Sequence, residues 1–460
     1  EHDGEDTGVR FRYITKTGVE KMGKLSASSW GDASAAKKAS NEMQGRGVQI
    51  APNSKGSLPF ALGFWLDEVK DFEASVLFSG QGWIAPGIFA NGGNVCFSTE
   101  GLNYQPDETS ISIQRRSGRA GTIEEWKEGV KKLVITSGSI AALGLSLAGS
   151  LVGLLDMVPF GLHFGGNSTA GKTTIARLAA SIWADPDEML QSWDSTLRAL
   201  EGTASAADGA CLCLDEVKRF KGDAAALGAA IHSICGTQGR ARLRQDGSLS
   251  HQRRWRNTIL STGENSIRDL LGQEYQGGHR VRLIDVNVQG HSDLTYSAQH
   301  AQDLDAFSHS QHGVVSDVWM MAILKLNKDE IKKTHQGWIK YAQGFLSQGQ
   351  EAARIAQNIG LIATALTYAG EAEILQIGSG EIQKTIAWIC ANTQNERQQT
   401  PHERALALFR ELYETQPARF PKALDADKSR DVIGYKNEAA IDGYEVYSTS
   451  TILRESGICT

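Results

Sequence analysis

Apolar and polar positions change rhythm three times along this 460-residue chain. Up to about residue 120 the short apolar runs alternate with polar residues. Val9–Ile14 (VRFRYI) has period two and ends near a Lys16-Thr17-Gly18 turn, which predicts a strand. Ala74–Phe78 and Val95–Ser98 predict two more, with the glycine-rich turns of Gly80–Gly93 between them. Gln105 to Gly121 is polar and reads as a linker. Its Arg115, Arg116 and Arg119 are expected to be solvated.

From Thr122 the period lengthens. Thr122 and Glu125 have capping-box spacing, and Trp126, Val130 and Leu133 recur at helical intervals. Between there and about residue 290, strand-like runs at Phe160–Phe164, Ala210–Leu214 and Thr258–Ser261 alternate with helical patterns at Ile175–Trp183 and Ala224–Ile234. That alternation predicts an α/β core with a mainly parallel sheet. Residues 311 to about 415 read as helical throughout, and Ala352–Ala369 is the strongest helix. The expected organisation is a β-rich N-terminal domain and linker (1–121), an α/β core (122–310), a helical segment (311–425) and a short mixed C-terminal segment (426–460). The chain opens at Glu1 without methionine and stops at Thr460 in a segment that reads as unfinished, so a fragment or processed form is expected.

Ile140–Leu155 is apolar, uncharged and rich in Gly, Ala and Ser. It is short for a membrane span and lies just before a glycine-rich loop, so a buried helix is expected and no membrane is implied. The six cysteines are scattered without zinc or disulfide spacing, and no signal-peptide pattern opens the chain, which predicts a reducing, cytoplasmic setting. Cys211 and Cys213 are expected in the core. The net charge of −6 and pI near 6.0 mean that any nucleic-acid surface must be local.

Candidate chemistry begins at Gly166-Asn167-Ser168-Thr169-Ala170-Gly171-Lys172-Thr173, a full G-x-x-x-x-G-K-[ST] match followed by Thr174. Glycines let the backbone N–H groups close on phosphate oxygens, and the following helix turns its positive end to them. Lys172 is a point charge for the β- and γ-phosphates, and the Thr173 hydroxyl is a magnesium ligand. A strand before and a helix after supply the context the motif needs, so ATP with Mg2+ is expected. The run ACLCLDE places Asp215 and Glu216 at a strand end, as a Walker B motif requires. Asp215 is expected to hold the metal through water and Glu216 to polarise the attacking water. Ser261 or Thr262 would sense the γ-phosphate, or simply end a strand. Arg282, or else Arg280, is a candidate arginine finger supplied to a neighbour's ATP, with a plain surface arginine as the other reading.

Between the acidic strand and the next lies GRARLRQDGSLSHQRRWR (239–256), with Asp246-Gly247 as a hairpin turn. Arg240, Arg242 and Arg244 share one face of the first arm. Arg253, Arg254 and Arg256 lie on the second. Such a hairpin would grip the phosphate backbone of single-stranded DNA, or it is an edge hairpin whose charges block aggregation. Trp255 is expected in the core.

Taken in order, these motifs resemble one family. HFGGNSTAGKTTIARLAASIWADP, SWDSTLRALEGTAS, LCLDEV, RRWRNTILSTGE and GGHRVRLIDV, with GWIAPGIF, GTIEEWKEGV and RIAQNIGLIATALTYAGEAEIL around them, look like the domain-of-unknown-function 927 family of phages, plasmids and integrated elements. The resemblance covers roughly residues 60 to 425. It implies a helicase-like ATPase similar to the hexameric AAA+ replicative helicases of the MCM type. It therefore implies an AAA+-like P-loop NTPase core with an α-helical C-terminal lid, and a homo-oligomeric ring, a hexamer, with ATP at its interfaces. It makes 240–256 a pore hairpin, Arg282 the finger and Arg354 a second sensor. The lid helix departs from the family, reading TALTYAGEAEIL where relatives show an Ala-Gly-Glu-Leu-Ala pattern, and no primase signature is present. The expected function is an ATP-driven DNA helicase in replication of a mobile element. The rivals are a protein-remodelling or defence ATPase that never unwinds DNA, and a scaffold that binds ATP without turnover.

Overall fold

The computed structural model describes residues 116–393, apart from 167–170, 242–251 and 289. It also describes 8–14, 20–26, isolated positions between 34 and 44, most of 75–95, 103–106, 435–437 and 445–447. The chain divides into two compact units, residues 1–76 and 77–460. This division falls before the boundary expected at residue 121.

In the first unit, β1 (Gly8–Ile14) and β2 (Glu20–Ser26) pair antiparallel, Gly8 opposite Ser26 and Ile14 opposite Glu20. The strand β3 (Ser75–Phe78) spans the division. In the second unit, β4 (Gly82–Ala85), β5 (Ile88–Asn91) and β6 (Asn94–Val95) form a small antiparallel sheet, and β7 (Asn103–Pro106) follows.

The first long helix, α1 (Ile123–Leu133), starts where capping-box spacing places it. The Thr122 hydroxyl accepts from Glu125 N, and acidic residues lead the helix while Lys131 and Lys132 end it, as the helix dipole favours. The apolar run becomes α2 (Ser137–Leu154), which is 78% buried. Its small residues explain how. Gly149 lies against the Ala210 backbone and Gly144 against Ile362 and Leu366, where a β-carbon would collide. The helix is therefore a core helix of the second unit.

Five parallel strands follow: β8 (Phe160–Gly166), β9 (Leu190–Ser192), β10 (Cys211–Asp215), β11 (Thr258–Gly263) and β12 (Leu283–Val288). Their order is β12-β8-β11-β10-β9. Side chains alternate across each strand. Cys211 and Cys213 face one core with α2 and with α3 (Lys172–Ser181), whereas Leu212 and Leu214 face a second core with α4 (Leu197–Ala206) and α5 (Ala224–Ile234). The C-x-C spacing is thus a packing pattern, as expected.

Past α6 (Ala298–Ser310) come α7 (Val315–Ile323), α8 (Lys328–Gln343), α9 (Gln350–Glu371) and α10 (Ser379–Asn392). Side chains of α9 and α10 enter the same hydrophobic core as α2 and the sheet. Two short strands, β13 (Tyr435–Asn437) and β14 (Glu445–Tyr447), pair antiparallel.

Candidate nucleotide site and basic hairpin

The carboxyl ends of β8, β11 and β10 lie level. Thr262 is opposite Phe164, and Leu214 opposite Ser261, so Asp215 comes level with Thr262 just below the glycine-rich loop. Ligands of open α/β sheets bind at this edge.

Glycine is required at both ends of that loop. Gly166 has φ +147° and lies against Val288 O; Gly171 has φ +82° and lies against Thr295. Asn167, Ser168, Thr169 and Ala170 fall outside the described residues. At the loop's end α3 begins. Lys172 is buried, 8% exposed, and its Nζ donates to Gly166 O at 2.8 Å. Burial lowers its pKa, while Glu216, Glu264 and Asp215 act against that shift. Thr174 is half-buried on the next position of the helix.

One hydrogen-bond cluster joins both motifs. Thr173 Oγ1 donates to Asp215 Oδ1 at 3.0 Å, and Thr262 Oγ1 donates to the same oxygen at 2.6 Å. Thr262 Oγ1 in turn accepts from Glu216 N at 3.1 Å. The Thr262 hydroxyl thereby fixes both acidic residues through one atom. Glu216 has φ 55°, a left-handed backbone that carries real cost without glycine. Its carboxylate accepts from Lys218 N at 3.3 Å, and Lys218 pairs with Glu264 at 3.0 Å. A hydroxyl and a carboxylate 3.0 Å apart beside the glycine-rich loop are a donor set that suits a hard dication.

Ser261 faces the other way. Trp193 Nε1 donates to its Oγ at 3.0 Å, and Ser261 Oγ meets His163 Nδ1 at 2.9 Å. His163 Nε2 lies 2.9 Å from Asn265 O, a carbonyl that can only accept, so Nε2 carries the proton and Nδ1 receives that of Ser261. Burial pushes the His163 pKa down to about 4, which keeps the ring neutral. His163 and Trp193 were not singled out by the motifs. The signal available was a histidine inside the strand leading to the loop.

The arginines separate. Arg282 Nη1 donates to Gly278 O at 2.8 Å, beside His232 and His279. Both histidines are shifted down by burial first and by Arg282 second. Arg280 is 13% exposed and pairs with Glu351 at 3.7 Å. Arg354 is exposed in the first turns of α9. Among the described contacts none joins Arg282 or Arg354 to Thr173, Asp215 or Glu216.

At the basic segment the base of a hairpin is visible. Gln238 bridges Arg254 antiparallel, Gly239 N donates to Arg253 O at 2.9 Å, and Trp255 N donates to Thr237 O at 3.1 Å. Arg240, Arg253 and Arg254 are exposed. Arg242, Arg244 and the Asp246-Gly247 turn lie outside the described residues. Trp255 is in the core, 1% exposed, as expected. Arg256 is partly exposed and held locally, its Nη1 donating to Met157 O at 2.8 Å and its Nη2 lying 3.9 Å from Asp156.

Arg116 corrects the expectation of a solvated linker. It is fully buried. Its Nε donates to Asn91 Oδ1 at 2.7 Å, its Nη1 to Asp208 O at 2.8 Å, and its guanidinium lies 5.3 Å from the Trp183 ring centre. Asn91 Nδ2 continues to Ser316 Oγ at 2.8 Å, and Arg256 N donates to Asp208 Oδ1 at 2.5 Å. A buried charge survives when it is paired and hydrogen-bonded, and the run of polar residues concealed that pairing. Arg119 is partly exposed and pairs with Asp317. Arg115 lies outside the described residues.

A parallel five-stranded sheet with a glycine-rich loop on one strand and an Asp-Glu end two strands away defines an α/β core of the NTPase-like kind. The family model "Domain of unknown function (DUF927)" matches residues 3–255, more than half of the chain, and the chain belongs to that family. No curated protein matches it significantly in sequence. Among solved structures, a chain described as "SCCmec type IV Cch - active helicase" is similar, with a TM-score of 0.76 and 18% identity over 98% of this chain and 87% of that one. At that identity the likeness speaks for the fold.

Proposed function

We propose that this chain is an ATP-driven DNA motor of the helicase type, with an AAA+-like core, a β-rich N-terminal domain and a C-terminal helical lid. The observation that carries the reading is the cluster in which Thr173, Asp215, Glu216 and Thr262 meet beside Lys172 at the carboxyl edge of the sheet. A helicase with the same fold supports it.

In this reading Lys172 and the loop amides hold the β- and γ-phosphates of ATP. Thr173 and Asp215 hold Mg2+, which neutralises charge on those phosphates when bound. Glu216 accepts a proton from the water that attacks the γ-phosphorus as the bond to the leaving β-phosphate oxygen breaks. Thr262 keeps Asp215 and Glu216 in register. Arg282, held locally and unconnected to its own site in the described contacts, suits a finger for a neighbouring subunit's ATP, which favours a homo-oligomeric ring. Arg354 is the matching candidate in the lid. The exposed Arg240, Arg253 and Arg254, with Arg242 and Arg244 between them in the sequence, would grip single-stranded DNA.

The test is steady-state ATPase rate with and without single-stranded DNA. Wild type is expected to be stimulated by DNA. Lys172→Ala is expected to lose turnover, and Arg253→Ala/Arg254→Ala to keep basal turnover and lose the stimulation. Turnover that ignores DNA in an assembled oligomer would turn the reading to a protein-remodelling ATPase. Undiminished turnover in Glu216→Gln would remove the catalytic assignment.

A further inference from the structure

Five large hydrophobic side chains stand exposed among the described residues, and two of them, Tyr296 (70%) and Ile135 (54%), belong to one junction beside the glycine-rich loop. Thr295, fully buried, touches Gly171 at the loop's end, and Tyr296 is its neighbour. Ile135 lies in the link between α1 and α2. The Thr136 hydroxyl donates to Leu294 O at 2.7 Å, and His300 Nε2 lies 2.8 Å from Leu133 O, a carbonyl that only accepts, so Nε2 donates to it. These bonds hold the 133–136 link against the 294–300 turn.

Tyr296 has φ 62°. A left-handed backbone is unfavourable for a residue with a β-carbon, and it persists only where its surroundings enforce it. Here Ser297 N donates to Thr295 O at 2.6 Å, and the bond of His300 to Leu133 O anchors the turn. The strained turn leaves an aromatic ring in solvent, a poor choice for packing. It is a good one for a planar ligand. Ile135 also closes one wall of a cavity of about 280 Å3 with Val134, Ile140, Leu375, Gln376 and Ile377.

A nucleoside triphosphate runs from its β-phosphate through an α-phosphate and a ribose before its base begins. A loop that takes the phosphates therefore needs a base-binding surface a short step away. We propose that Tyr296 and Ile135 form that surface, with the Tyr296 ring stacking on the purine base and Ile135 packing against its edge. The proposal rests on the reading of the loop as a phosphate site. It assigns base recognition to residues outside every motif considered above.

The test is equilibrium binding of two probes to the full chain with magnesium, ATP and inorganic tripolyphosphate, the second having no base. Base–aromatic stacking is worth enough that Tyr296→Ala is expected to weaken ATP binding roughly tenfold or more, with tripolyphosphate unchanged. Tyr296→Phe is expected to bind ATP like wild type, and Ile135→Ser to weaken ATP alone. Equal ATP affinity in Tyr296→Ala and wild type overturns the proposal. So does an equal loss of both probes, which would mean damage to the phosphate site. So does a change in assembly mass with ATP affinity intact, which would make the ring a contact between subunits. A wild-type chain that binds neither probe would sink the phosphate-site reading itself, and this proposal with it.

Discussion

The Thr262 hydroxyl uses both its proton and a lone pair on the acidic motif. Thr262→Val keeps the shape and removes both bonds. It leaves Glu216 N, at a strained backbone position, without its acceptor, and an unsatisfied buried group costs about 1–3 kcal/mol. We expect turnover to fall on the order of tenfold to a hundredfold with nucleotide binding retained, measured as kcat beside the ATP dissociation constant. Asp208 makes a prediction in pH. Burial raises its carboxyl from 3.8 to about 7, against the pull of the Arg256 amide and Arg116. The folded chain then holds a proton that the unfolded chain has released, so the stability is full below about pH 4 and is lost as pH rises through 7. Asp285, raised to about 6, shares the lower part of that window, and His163, lowered to about 4, opposes it below 6.5. Between pH 6 and 7.5 the wild-type urea midpoint should fall. In Asp208→Asn that dependence should largely disappear, and one proton is worth at most about 1.4 kcal/mol per pH unit. The loop and the acidic pair were legible because their spacing is local. His163, Trp193 and Asp208 were not, because their partners lie tens of residues away and each alone reads as an ordinary core residue.

Among the elements, α2 shows what an apolar run means. Composition alone leaves a buried helix and a membrane span open. The difference lies in Gly144 and Gly149, which let Leu366 and the Ala210 backbone approach. Gly149→Leu should therefore destabilise the chain by about 1–3 kcal/mol or more through overpacking, read as a lower melting temperature, whereas Ile140→Ala, at a partly buried position, should cost less. The three core strands that were expected lie within two residues of their expected bounds, whereas β9 and β12 were not expected, and β4 and β5 occupy Gly80–Gly93, where turns were expected, because strands of three to six residues leave little period to read. Phe160–Phe164 became Phe160–Gly166, and Thr258–Ser261 became Thr258–Gly263. The helix Ala224–Ile234 kept its expected bounds. The order of the strands was not legible, since nothing local says that β11 enters between β8 and β10. That insertion is what brings Thr262 to Asp215.

On the scale of the second unit, the edge that carries Asp215 and the basic segment grow from one sheet, because residues 239–256 are the connection between α5 and β11. Its stem is tied down by Arg256 N on Asp208, and Asp208 by Arg116. Arg116 touches Asn91, which reaches Ser316 and Trp183 O. Arg116→Met would leave Asn91 Oδ1 and Asp208 O without their donor, and an unsatisfied buried group costs about 1–3 kcal/mol. Arg116→Met should thus lower the melting temperature more than Arg119→Met, whose pair with Asp317 is partly exposed.

The same fastener bears on how the protein is dissected. Someone cutting at the polar stretch to obtain a minimal ATPase would begin at residue 122. That cut would take away Arg116 together with Phe89, whose ring packs on Trp183, and would expose the end of the helix that carries Lys172. A piece beginning at residue 77 keeps them. Soluble expression and a cooperative melt are expected for the longer piece and aggregation for the shorter. Phe89, Asn91 and Arg116, which lie between the two cuts, are the keel of the unit that carries the five-stranded sheet.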